Sequence, residues 1–90
     1  MIETIINKIN KHKQLVLDFN ILQNEVPTME EASLYYYECE YNMDICTELV
    51  EELYNELEKI NIINKKKIEE YLLVNFNFKL FDTTTIWGYK

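Results

Sequence analysis

Ninety residues make one small domain, 1–90, whose single core has little stability to spare. An apolar share of 48 % argues against disorder despite the net charge of -7, and no apolar run approaches the roughly 18 residues that a membrane span requires. All nine basic residues are Lys, and with ten Asn, eleven Ile and seven Tyr the mix matches residues encoded by AT-rich codons, a hint of a bacterial or viral source.

The chain starts by alternating Ile with Glu, Asn and Lys, which lacks the basic start, apolar stretch and cleavage site of an export signal; a cytoplasmic, intracellular protein is expected. Ile2, Ile5, Ile6, Ile9, Val16, Phe19 and Leu22 recur at helical spacing and predict a first helix over 2–23, with His12 on its apolar face. Asn24 to Thr28 stops it: Pro27 disfavours a helical Val26, and Thr28 with Glu31 makes a capping box for the next helix. A second helix is predicted over 28–61. Its apolar residues Met29, Ala32, Tyr36, Cys39, Met43, Cys46, Val50, Leu53, Leu57 and Ile60 follow at spacings of three and four, a heptad seam.

A hairpin folded about 24–27 sets Phe19 near Ala32, Val16 near Tyr36, His12 near Cys39, Ile9 near Met43 and Ile5 near Cys46. The first helix then runs out, and Leu53, Leu57 and Ile60, left in water, would each forfeit roughly 1.5 to 3 kcal/mol. The C-terminal third is expected to cover them. Asn61 to Asn64 weakens the helix, and Asn64 can cap a third one running to about Leu73. From Leu72 the apolar period changes to two, which predicts a strand over 74–80, a turn at Asp82 to Thr84 and a return strand over 85–89. The fold class expected is mainly α (α+β): an antiparallel hairpin of long helices, a short third helix and a C-terminal β-hairpin.

Catalytic parts are scarce. One His, a single Gly88 and no Gly-rich loop leave nucleophilic catalysis and phosphate cradling without a frame, so a non-enzymatic protein is expected, with no cofactor. Cys39 and Cys46 lie seven apart, about 10 Å along a helix and beyond disulfide reach, so both are free thiols, in keeping with a reducing compartment. With His12 they offer three soft ligands, but zinc ligands pair at two to five residues and a seam Cys is ordinarily a small hydrophobe; no metal is expected.

The distinctive feature is charge. From Gln14 to Glu58 there are twelve Asp or Glu and no Lys or Arg. Glu40, Asp44, Glu48, Glu52 and Glu56 succeed one another at i, i+4, flanked by Glu38, Glu51 and Glu58, although each like-charged pair costs roughly 0.2 to 0.5 kcal/mol. Leu34, Tyr37, Tyr41 and Ile45 form a second apolar stripe in the same sector. Aromatic anchors among carboxylates suit a protein-binding surface that meets Lys and Arg. The bland alternatives are that the acids serve solubility and that the stripe is a core contact under the C-terminal hairpin.

Carboxylates four residues apart rise about 6 Å, close to two nucleotides of one strand, which permits imitation of nucleic acid. The function expected is a non-enzymatic inhibitor or decoy occupying the positively charged nucleic-acid-binding groove of a partner protein, in the manner of a viral anti-CRISPR or anti-restriction protein. Its partner-binding residues are Tyr37, Glu38, Glu40, Tyr41, Asp44, Glu48, Glu51, Glu52 and Glu56, and neither direct nucleic-acid nor membrane binding is expected. Two rivals stand beside it. In one, residues 64–89 are a winged-helix-like nucleic-acid binder using Lys65, Lys66 and Lys67; in the other, the acidic and tyrosine-bearing face serves an adaptor or immunity-type protein unrelated to nucleic acid.

Overall fold

In the computed structural model, which describes residues 1–80, three helices follow one another: α1 (Ile2–Glu25), α2 (Met29–Lys59) and α3 (Lys65–Phe76). The protein is mainly helical, and among the described residues it has no strand. Val26 is extended (φ -78°, ψ 146°), as a residue before Pro must be, and the Thr28 hydroxyl accepts the Glu31 N–H at 3.3 Å to start α2. α1 and α2 therefore form the antiparallel hairpin that Pro27 and Thr28 announce.

The register of that hairpin differs from expectation. Phe19 stacks on Tyr35 at 6.0 Å, the Cys39 thiol reaches the Val16 carbonyl, His12 meets Asn42, and the Cys46 thiol faces the Ile9 carbonyl. Each partner lies three residues further along α2 than a fold about 24–27 places it, because α1 runs on to Glu25 and only three residues make the link.

The seam is corrected for a related reason. The buried residues of α2 are Cys39, Asn42, Cys46, Leu49, Leu53 and Leu57, whereas Met29 and Tyr36 are 84 % and 46 % exposed and Met43 and Val50 half-buried. A strict heptad drifts by about 20° per repeat on a straight helix, so over this length it walks off the contact line.

α2 ends on Asn61, whose left-handed conformation (φ 63°) lets its N–H bond the Glu58 carbonyl while Ile62 N–H bonds that of Leu57. The turn swings Ile60 outward to 48 % exposure, against the expected burial, and Ile62 packs on the core instead. Asn64 caps α3 as its position suggests, accepting the Lys66 N–H at 2.9 Å.

α3 continues to Phe76, so the strand expected over 74–80 begins inside a helix; left-handed Asn77 (φ 52°) ends it. The return strand over 85–89 lies outside the described residues. Phe78 and Leu80 nonetheless turn back into the core, joining Ile68 and Leu72 over Ile5, Ile6, Ile9, Leu49, Leu53 and Leu57. Leu53 and Leu57 are wholly buried, so the segment after α2 covers them. The core occupies one end of a molecule about 49 Å long, and toward Pro27 the hairpin continues as a two-helix arm; the buried side chains outside the core cluster are Val16, Cys39, Asn42 and Cys46.

Candidate functional site

Four polar groups on the α1–α2 contact line, His12, Cys39, Asn42 and Cys46, are committed to structure. Asn42, 4 % exposed, donates through Nδ2 to the Glu38 carbonyl at 2.8 Å, which leaves its Oδ1 to accept from His12 Nδ1–H at 2.8 Å. Cys39 and Cys46 donate to carbonyls of α1. Among the described residues no group of His, Cys, Asp and Glu is arranged to hold a metal ion.

Burial raises both thiols, that of Cys46 to about 11, so they stay protonated. A thiol-specific disulfide reagent at about pH 8 should react on the order of a hundredfold more slowly with the folded protein than with the urea-unfolded chain. Equal rates would contradict this burial.

The expected partner-binding residues all lie on α2, and helical geometry sorts them. At about 100° per residue, Tyr37, Tyr41, Asp44, Glu48 and Glu51 fall on one line opposite the core, in steps of four and three. Tyr37 and Tyr41 are 66 % and 64 % exposed, and the three acids are exposed. Glu40 lies on one flank of this line; Glu38, Glu52 and Glu56 lie on the other.

Aromatic and acidic residues therefore do not interleave along the line as the stripe pattern implies. Leu34, Tyr37 and Tyr41 occupy the arm, and Asp44, Glu48 and Glu51 follow toward the core end. Leu34, Tyr37 and Tyr41 are each more than 60 % exposed, and Ile45 alone of that stripe packs on the core; the C-terminal hairpin that the core-contact alternative invokes lies outside the described residues.

Two carboxylates of the face have partners. Tyr36 donates its hydroxyl to Glu40 at 2.8 Å, which raises the phenol above its ordinary value through that bond and the neighbouring charge. Lys59 pairs with Glu56 at 2.6 Å. Among the described residues no ion pair holds Asp44, Glu48, Glu51 or Glu52. α2 carries ten carboxylates and one Lys over a length of about 46 Å, so the helix as a whole is strongly negative.

Sequence reasoning missed the exposed apolar residues of the arm. Leu17, Ile21 and Leu22 on α1 are 40 %, 55 % and 38 % exposed, and with Met29 and Leu34 they leave the arm unusually apolar for a surface. Helical spacing assigned Leu22 and Met29 to the hairpin contact; that α3 covers only the opposite end is a tertiary fact with no local signal.

The exposed Lys65, Lys66 and Lys67 lie in the first turn of α3, and the extension of that helix to Phe76 takes three residues from the first strand of the wing that a winged-helix reading needs. No helix of the described residues is long and apolar enough to cross a membrane. No known protein family, curated protein or solved structure matches the chain.

Proposed function

We propose that the protein is a non-enzymatic acidic inhibitor or decoy that lays the outer face of α2 into the basic nucleic-acid-binding groove of a partner protein. The observation that carries this reading is the line from Tyr37 to Glu51: two exposed tyrosines followed by three exposed carboxylates on one rigid helix. Such a line offers amphipathic anchors at one end and charges for Lys and Arg at the other. Repulsion among the acids weakens the isolated helix, so a partner's cations relieve a cost already present. The small size, the AT-rich composition and the absence of a catalytic frame in the sequence fit a viral anti-CRISPR or anti-restriction role. The cytoplasm of a host cell is where such a role would be exercised.

A decoy competes with nucleic acid and does not bind it. Titration of labelled duplex and single-stranded DNA with the protein at low salt should therefore give no saturable binding. Affinity that falls steeply with salt, and disappears when Lys65, Lys66 and Lys67 are changed to Gln, would overturn this reading in favour of the winged-helix one.

A further inference from the structure

Between the two long helices, on one flank of the molecule, Thr4 and Lys8 of α1 and Glu52 and Asn55 of α2 line a groove of about 420 Å³. α3 lies on the other flank: Lys65 and Ile68 share a cleft with Tyr54, which is about 200° round α2 from Glu52. Seven residues return a helix to nearly the same face, about 10 Å further on. From Lys8 such steps lead along α1 to Leu15 and Leu22; along α2 they lead from Glu52 to Ile45 and Glu38, and from Asn55 to Glu48, Tyr41 and Leu34. The flank that carries the groove therefore continues along the arm as a mixed surface: Leu15 and Ile45 are half-buried, Leu22, Tyr41 and Leu34 are exposed, and Glu38 and Glu48 stand among them.

Carboxylates alternate with these side chains, with Asp18 on α1 and Glu38 and Glu48 on α2, all exposed. No Lys or Arg occurs between Gln14 and Glu58 to neutralise them. A second copy of the hairpin would bring the same carboxylates against their own kind, so charge argues for a different occupant. We propose that this flank of the arm takes a basic amphipathic helix of the partner protein, its apolar stripe on Leu15, Leu22, Leu34, Tyr41 and Ile45 and its Lys or Arg residues on the carboxylates among them. The added helix completes a three-helix bundle where the described residues supply two helices. This inference rests on the reading of α2 as a docking surface and names the element that docks.

The probe is a fluorescein-labelled Leu-Lys peptide of about 18 residues, five helical turns, with Leu at helical spacing, alongside a scrambled peptide of equal composition. Anisotropy should show the patterned peptide binding at least about tenfold more tightly than the scrambled one. The double variant Leu22→Ser with Leu34→Ser, both exposed in the parent and checked for intact helicity, should lose at least about tenfold in affinity for the patterned peptide. Equal binding of the two peptides, with the Ser variant unaffected, overturns the arm proposal; if that binding vanishes in the Glu40, Asp44, Glu48 and Glu52→Gln variant, the acidic face still stands as a docking surface. Failure of both peptides to bind overturns the arm proposal, and competition with DNA decides the decoy reading separately. A concentration-dependent dimer abolished by Leu34→Ser makes a second copy the occupant and overturns it as well.

Discussion

Leu53→Ala should lower the unfolding free energy by about 2 to 5 kcal/mol. Leu53 is wholly buried, in the cluster that unites Ile5 and Ile9 of α1 with Ile68 and Leu72 of α3 and with Leu80 beyond it. Truncation would leave a cavity at the one place where all three helices meet, and such a site collapses poorly. A domain of this size is stable by only about 5 to 15 kcal/mol, so the variant would lose a large share of the total. Urea unfolding should show a lower midpoint with an unchanged slope. Leu34→Ala, on the exposed arm, should stay within about 0.5 kcal/mol of the parent, and similar losses for the two would contradict the location of the core.

What the sequence disclosed follows from how local each determinant is. Pro27, Thr28 and Asn64 act within a turn of their own positions, so the hairpin link and the cap of α3 were legible. The demand that Leu53 and Leu57 be covered was also legible, because it needs only the lengths of two helices. Register was not, since two more residues on α1 displaced every cross-helix pair by three positions. Asn42 reads as polar and hence outward, yet it is buried because His12 stands opposite it, a pairing thirty residues apart. Alternation from Leu72 to Leu80 looked like a strand; Phe78 and Leu80 reach the core from an irregular segment after Asn77, and Phe76 packs beside it from the last turn of α3. The acidic face was legible residue by residue, but its division into an aromatic arm and an acidic stretch required knowing which end of the hairpin α3 covers.

Replacing Glu40, Asp44, Glu48 and Glu52 together with Gln removes four negative charges from exposed positions while keeping side chains that favour a helix. Folding should be unchanged or improved by a few tenths of a kcal/mol, because like-charge repulsion at i, i+4 is relieved and the amide oxygen of Glu40→Gln can still accept from the Tyr36 hydroxyl. Association with a basic partner should slow by about tenfold or more at low salt and lose much of its salt dependence, since steering follows charge. Tyr37→Ala and Tyr41→Ala should act on the other rate: they delete exposed anchors on the arm, leave steering intact and speed dissociation. The separation of tyrosines from carboxylates along α2 is what lets the two effects be measured apart.

Competition with nucleic acid tests the decoy reading most directly. The immobilised protein is exposed to a nuclease-treated lysate, and the retained proteins are challenged with duplex DNA at physiological salt. The account predicts that a retained nucleic-acid-binding protein is released by DNA in a concentration-dependent way, and that the quadruple Gln variant does not retain it. A partner that DNA leaves in place, held equally well by the parent and the quadruple Gln variant, would contradict it.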